Sequence, residues 1–242
     1  KTIKIKDLDV FLLRKDPPVT QEYMILAHLL KNLEDDVFFV NSPRGIVNTH
    51  SKMTTLNFPQ FIPETLFSLC ENEIYDFIKR HKKVIVKPTD AMGGKGIMIL
   101  NHDDLNLKSI IQTVRFAYNN LVLFQRFLPE AVSHGDKRII LFDGECYGAI
   151  TRRAAEGDFR SNISAGGSFE KAELTDREKE IVAAVKPYLQ ENGLFFCGLD
   201  TIGGYLTEIN TISPGALTWA NQAYGKKFEN IFWDVLEKKL AK

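Results

Sequence analysis

The chain has 242 residues, with 31 Lys and Arg against 31 Asp and Glu and a formal net charge of zero. That length suffices for one large or two modest domains with a buried core. The balanced charge supplies no basic field for a long anionic polymer, which argues against nucleic acid as the main partner; a local Lys/Arg cluster can still serve a small anion.

In chain order, LDVFLLRKDPP (8–18) predicts a buried strand ending in a charged, proline-stopped loop. Helical spacing behind Thr20 predicts a helix over 20–34, and VFFVNSP (37–43) a strand and turn. This β-α-β order is a fragment of a parallel sheet. ENEIYDFIKRH (71–81) is an amphipathic helix, followed by the strand VIVKP. Beyond a glycine cluster, IMIL is again strand-like, and a helix over 106–120 leads into LVLFQRFLP (121–129). KRIILFDGECYGAITRRA (137–154) predicts two strands around an Asp-Gly turn, before the glycine-rich loop SNISAGGS. Residues 175–193 carry helix start and stop signals, 194–210 a hairpin, and KFENIFWDVLEKKLAK a closing helix. The class is α/β or α+β with mixed sheets.

The glycine cluster AMGGKGIM (91–98) excludes two familiar motifs. A Rossmann fingerprint uses glycines to open a helix, and here they open an apolar strand; a Walker A loop needs Ser or Thr after its Lys, and Lys95 is followed by Gly96. What fits is a glycine-rich hairpin loop whose bare backbone N–H groups can approach a triphosphate with no Cβ in the way. Lys87, on the strand entering the loop, would add a point charge on phosphate. On this pattern alone, an ordinary hairpin with an exposed lysine fits as well.

GLDTIGGYLTEIN carries Asp200, Glu208 and Asn210. Glu208 and Asn210 stand two apart on a strand and share a face. A two-residue Gly203-Gly204 turn pairs residue 199 with 208 and turns Asp200 away; a three-residue turn over 203–205 sets Asp200 across from Glu208. The three-residue turn is expected, because it gathers two carboxylates and an amide oxygen, hard ligands suited to Mg²⁺ on nucleotide phosphates. A solvated acidic strand face is the competing reading.

Lys52, Lys87, Arg138 and Arg160 stand at strand ends and loop edges. Their convergence would suit a polyphosphate and a developing transition-state charge, whereas each alone reads as a surface ion pair. LVLFQRFLP resembles the segment joining two lobes of a nucleotide-binding cleft, where backbone groups read the adenine edge and side chains such as Leu128 pack on its faces. A plain buried strand fits that pattern equally.

Cys70, Cys146 and Cys197 are odd in number and far apart, which fits reduced thiols in a cytosolic protein. With no apolar run of about 20 residues and no signal-peptide pattern, a cytoplasmic protein without a membrane partner is expected. The first residue is Lys, and a start upstream of it is expected.

Together these residues resemble the bacterial glutathione synthetases of the ATP-grasp superfamily. The resemblance runs through DLDVFLLRKDPP (7–18), VNSP (40–43), PETL (63–66), VKPTDAMGGKGI (86–97), GDKRI (135–139), RSNISAGG (160–167), GLDTIG (198–203) and LTEINTISP (206–214). The glycine hairpin is generic to ATP-grasp proteins; RKDPP, GDKR and the TEIN-to-SP stretch are more specific. The resemblance implies a nucleotide held between two mixed-sheet lobes. Residues 1–51 would be a partial pre-ATP-grasp segment, 52–124 the small lobe and 125–242 the C-terminal lobe.

It further implies that Lys52, Lys87, Met92, Gly93 and Gly94 contact ATP phosphates. Gln125, Arg126 and Leu128 would line adenine, with Asp136 near the nucleotide. Arg138 and Arg160 would stabilise charge on the transferring phosphoryl and acyl groups. Asp200, Glu208 and Asn210 would hold Mg²⁺ or Mn²⁺, and Asn162, Ser213 and Pro214 would meet the peptide substrate. The implied reaction joins γ-glutamylcysteine to glycine through an acyl phosphate, in a homo-oligomer.

The chain departs from the family in lacking a usual N-terminal strand-helix unit of about 70 residues, in SFEKAELT after Gly167, and in GALTWANQAYG after Pro214. The last departure keeps a ligase with another acceptor, such as glutamate, in view, and a nucleotide-binding module without turnover is a further alternative.

Overall fold

The β-α-β opening forms as β1 (Val10–Leu12), α1 (Gln21–Leu30) and β2 (Phe38–Val40), with Val10 beside Phe38 in parallel register. The computed structural model describes residues 2–16, 18–91, 93–155 and 167–241. Thr20 caps α1 by accepting from the Tyr23 N–H. Tyr23, Ala27 and Leu30 pack on Leu13, Val37 and Phe39. The buried strand read from 8–18 is only three residues long, and Leu13 is the sole buried residue described in that stretch. A strand with one partner and one covered face leaves alternate side chains in solvent. A short helix not foreseen from the sequence, α2 (Pro43–Asn48), follows, capped by Ser42 with Pro43 in its first turn.

The next unit holds β3 (Thr65–Leu66), α3 (Glu71–His81), β4 (Lys83–Pro88), β5 (Met98–Asn101), α4 (Leu107–Ala117) and β6 (Val122–Arg126). Its sheet runs β3-β6-β4-β5, and each described pairing is antiparallel. Alternation sorts the strands: Val84, Val86 and Phe124 pack on Ile74, Ile78, Ile111 and Val114 of the two helices. Ile85, Lys87 and Gln125 point the other way, into a cleft. The division expected at 124/125 falls inside β6.

The third unit holds α5 (Glu130–Ser133), β7 (Asp136–Phe142), β8 (Glu145–Arg153), β9 (Ser168–Ala172), α6 (Asp176–Glu191), β10 (Phe196–Ile202), β11 (Tyr205–Asn210), α7 (Leu217–Tyr224) and α8 (Phe228–Leu240). The order is β11-β10-β7-β8-β9, antiparallel at each described pairing. Ile181, Val185 and Leu189 of α6 cover one face, against Ile139, Leu141, Leu199 and Ile209. On the other face, Ala220, Phe228 and Phe232 of α7 and α8 cover Ile140, Phe142, Ile150 and Phe196. Farther along the same strands that face turns polar at Arg138, Arg152 and Asp200, and the cleft opens over them.

A buried charge anchors α6 to this sheet. The Glu178 carboxylate accepts from the Thr175 N–H at 2.8 Å, closing a capping box, from Lys137 Nζ at 2.5 Å and from Thr201 Oγ1 at 2.8 Å. Burial acts to raise its pKa, but the hydrogen bonds from Lys137 and Thr175 more than offset this and hold it below the usual carboxylate range. A depressed carboxyl contributes stability above its unfolded pKa of about 4.3, lost as pH falls. Glu178→Ala is expected to cost roughly 2–4 kcal/mol at neutral pH, read as a lowered urea midpoint.

Candidate active site

The bare faces of the two larger sheets enclose a cavity of about 480 Å³. One end is apolar, with Ile85, Leu128 and Ile202 beside Gln125 and Arg126 of β6. Four cations (Lys52, Lys87, Arg138, Arg152) and three carboxylates (Asp136, Asp200, Glu208) border its middle. Asp16, Ser213, Pro214, Gly215 and Trp219 complete its lining. Of the cations expected to converge, Lys52, Lys87 and Arg138 do so. Arg160, Met92 and Asn162 lie outside the described residues.

The loop over the middle is the expected hairpin, since β4 and β5 pair antiparallel up to Val86 and Met98. Gly93, Gly94 and Gly96 have φ of 65°, 74° and 69°, a left-handed region that costs other residues about 1–2 kcal/mol each. Lys52 Nζ holds the base of this loop, donating to the carbonyls of Thr89 at 3.2 Å and Ala91 at 2.8 Å. Lys87 is buried, not the exposed lysine of an ordinary hairpin, and donates to Gln125 Oε1 at 2.9 Å. Gln125 Nε2 in turn donates to Thr65 Oγ1 at 2.8 Å. Burial pushes the Lys87 pKa down, and the nearby Glu208 charge partly opposes this.

Asp200 does face Glu208, but not by the expected turn. Ile202 pairs with Tyr205, so the turn is the two-residue Gly203-Gly204, and a β-bulge between Thr201 and Asp200 restores the facing pair. Thr207, the extra residue on β11, donates from Oγ1 to the Asp200 carbonyl at 3.0 Å. The bulge lets Leu206 and Ile209 both enter the core, three positions apart, while Glu208 and Asn210 face the cavity.

The Asp200 carboxylate accepts from Arg138 Nε and from Arg138 Nη2 at 2.8 Å, with Arg152 Nη2 at 3.1 Å. Gly198 makes room for this fork: a Cβ there would lie 3.0 Å from Arg138 Cδ. Burial would raise the Asp200 pKa, but the two guanidiniums overcome it and hold the carboxyl well below its ordinary range. Arg152 also pairs with Asp136, its neighbour across β7 and β8. The Asp136 pKa is pushed up by burial, with the Asp200 charge acting in the same direction. Arg152 was not foreseen; the available signal was a charge two positions from Ile150, on one face of a predicted strand.

These residues fit a divalent cation. Among the described residues no three His, Cys, Asp or Glu side chains converge as a metal cluster; the set here is two carboxylates and an amide. Asn210 Nδ2 donates to the Gly198 carbonyl and to Asp200 Oδ2, both at 3.3 Å, and among the described residues no donor reaches Asn210 Oδ1. Glu208 borders the cavity with its carboxylate 3.7 Å from Lys52 Nζ. Oxygen-only donors beside a phosphate-sized space suit Mg²⁺.

Beside the cavity wall at Pro214, Arg14 of the RKDPP motif stacks 4.6 Å over the Phe196 ring, and its Nη2 donates to the Pro214 carbonyl at 3.1 Å. Cys197 is buried and Cys146 half-buried; burial pushes both thiols up, so neither is a reactive nucleophile. Cys70 is exposed. Among the described residues no helix is long and apolar enough to cross a membrane.

Solved structures share this architecture. D-cycloserine synthetase DcsG superposes with a TM-score of 0.74 at 13% identity, over 99% of this chain and 86% of its own. D-alanine–D-alanine ligase from Bacillus anthracis, complexed with ATP, gives 0.65 at 18% identity, over 98% and 80%. At such identities the likeness establishes the ATP-grasp fold alone. Sequence relatives are nearer. Glutathione synthetase of Rhodopseudomonas palustris is 40% identical over 239 residues, covering 99% of this chain and 76% of the relative. Glutathione synthetase of Coxiella burnetii is 41% identical over 236 residues, covering 97% and 73%. The model of the prokaryotic glutathione synthetase ATP-grasp domain matches residues 51–225, and that of the family's N-terminal domain matches 1–46. The chain thus belongs to the prokaryotic glutathione synthetase family of ATP-grasp ligases.

Proposed function

We propose that this chain joins the cysteine carboxylate of γ-glutamylcysteine to the amine of glycine, forming glutathione with release of ADP and phosphate. The observation that carries this reading is one cavity of about 480 Å³ lined by apolar Ile85, Leu128 and Ile202, by the cations Lys52, Lys87, Arg138 and Arg152, and by the carboxylates Asp136, Asp200 and Glu208. The substrate carboxylate attacks the γ-phosphorus of ATP to give an acyl phosphate; the glycine nitrogen then attacks the acyl carbon and phosphate leaves.

In this reading Ile85, Gln125, Arg126 and Leu128 receive adenine, with Asp136 holding Arg152 in place. Lys52, Lys87 and the glycine loop bind the phosphates. Arg138 and Arg152, pre-aligned by Asp200, face the charge that develops on the transferring phosphoryl and acyl groups. Asp200, Glu208 and Asn210 would hold Mg²⁺, or Mn²⁺ in its place. An ion held there would supply positive charge to offset that of the nucleotide phosphates. Ser213 and Pro214 border the substrate end, and residues 156–166 would add Arg160 and Asn162.

The division into lobes is proposed as before, with the boundary moved past β6 to follow Arg126. Exposed Ile25, Leu26 and Leu29 on α1 support a homo-oligomer contacting there. The unpaired cysteines support a cytoplasmic location.

The test is phosphate release with Mg-ATP, γ-glutamylcysteine and a panel of amines. Release dependent on glycine supports the reading; release with another amine alone replaces the acceptor; no release with any amine overturns it. Lys87→Met is expected to raise the KM for ATP about 10- to 100-fold, because it removes one charge-assisted phosphate contact. An unchanged KM would take Lys87 off the phosphates.

A further inference from the structure

Lys87 is held by a chain of side chains whose last member stands behind the cavity wall. Lys87 Nζ donates to Gln125 Oε1 at 2.9 Å, Gln125 Nε2 to Thr65 Oγ1 at 2.8 Å, and Thr65 Oγ1 to the Pro63 carbonyl at 2.7 Å. The sheet register brings the three together. Thr65 of β3 lies directly across from Gln125 of β6, and Lys87 of β4 pairs with Leu123, two positions from Gln125 on the same face. Leu66, the residue after Thr65, packs on the small-lobe core, so alternation leaves Thr65 on the cavity side of the sheet. Lys87 and Gln125 border the cavity, and Thr65 sits behind them.

The direction of every bond in this chain is determined. An ammonium only donates, so Gln125 must turn its oxygen, and not its nitrogen, toward Lys87. The amide nitrogen then needs an acceptor. Thr65 Oγ1 is that acceptor, because its own proton is committed to Pro63. Without the hydroxyl, nothing described on the far side of the amide distinguishes its two ends. Turned over, the amide would set N–H donors against the ammonium, and Gln125 Oε1 is the hydrogen-bond acceptor that Lys87 Nζ has among the described residues. Both side chains are buried, so water does not readily replace the lost contact. Lys87 also carries a long flexible stem, and fixing its Nζ before a phosphate arrives removes part of the ordering cost from binding.

Resting on the assignment of Lys87 to the ATP phosphates above, we infer that Thr65 is a positioning residue for nucleotide binding. Its hydroxyl sets the orientation of the Gln125 amide, and the amide oxygen in turn aims Lys87 into the cavity. Thr65 touches neither nucleotide nor peptide and acts through Lys87 alone.

The test is a double-mutant cycle read by calorimetric titration with the magnesium complex of AMPPNP, an ATP analogue that does not turn over. Thr65→Val, nearly isosteric but without the acceptor, is expected to weaken binding about 3- to 10-fold, the range of one neutral hydrogen bond. Thr65→Ser restores the hydroxyl and should bind within about twofold of the parent. In a Lys87→Met background, Thr65→Val should add less than about twofold, because the group it positions is gone. Should Thr65→Val fail to fold, Thr65→Ala has the same expected and overturning results. Parental affinity in Thr65→Val overturns the inference. So does an equal loss with and without Lys87, which would mark Thr65 as a support of β3 or of Gln125 only. A parent that does not bind the analogue removes the ATP site and the inference with it. Because the readout is binding, a chain that releases no phosphate with any amine would lose the ligase reading while these affinities still decide the role of Thr65.

Discussion

Glu208→Gln is expected to fold like the parent and to lose about 10²- to 10³-fold in Mg-ATP turnover. The substitution is nearly isosteric. Among the described residues the only cation within ion-pair distance of the carboxylate is Lys52 Nζ at 3.7 Å, and the Glu208 side chain is 25% exposed, so the folded state loses little. What it loses is the anionic oxygen proposed above to hold a cation near the γ-phosphate, which an amide replaces poorly. Phosphate release together with thermal unfolding checks both halves. Parental turnover in a normally folded variant would remove Glu208 from the metal set.

Asp200→Asn is expected to act on fold and chemistry together. Asp200 is buried between Arg138 and Arg152, and its loss removes the carboxylate that Arg138 pairs with and leaves Arg152 to Asp136 alone. Breaking a buried pair in this way costs about 3–5 kcal/mol, and turnover should fall below detection because both arginines lose their alignment. The pH dependence follows from the depressed Asp200 carboxyl. Its contribution is fully present above the unfolded pKa of about 3.9 and is lost as pH falls through that value toward the folded one. The stability gap between parent and variant should thus be constant from neutral pH to about pH 5 and narrow below about pH 4. Urea unfolding at several pH values measures this; a gap that stays constant on acidification would contradict the account.

Much of this was legible in the sequence because local rules and tertiary structure agree. The helix at 71–81 matches α3 residue for residue, and its amphipathic face is what buries Ile74 and Ile78. The glycine cluster read as a hairpin because its flanks are strand-like on both sides. The facing pair of Asp200 and Glu208 was reached through a wrong turn, since plain alternation ignores bulges. Leu206 and Ile209 held the missing signal: two apolar residues three apart cannot share one face of a regular strand. Arg152 escaped notice because its role depends on Asp136 and Asp200, contributed by two other strands. The hydrogen bond between Lys87 and Gln125 likewise joins residues 38 apart across β4 and β6. Helix α7 opens without a side-chain cap at a left-handed Ala216, so none of the usual start signals marked it.

In the proposed reaction the peptide carboxylate is activated by phosphorylation before the amine attacks. The most direct measurement uses γ-glutamylcysteine carrying ¹⁸O in its cysteine carboxylate, turned over with Mg-ATP and glycine, with the released phosphate analysed by mass. Attack of that carboxylate on the γ-phosphorus predicts one ¹⁸O in each phosphate released, matched to glutathione formed. Glutathione accompanied by unlabelled phosphate would contradict an acyl phosphate, and with it the roles given to Arg138, Arg152 and the carboxylates around them.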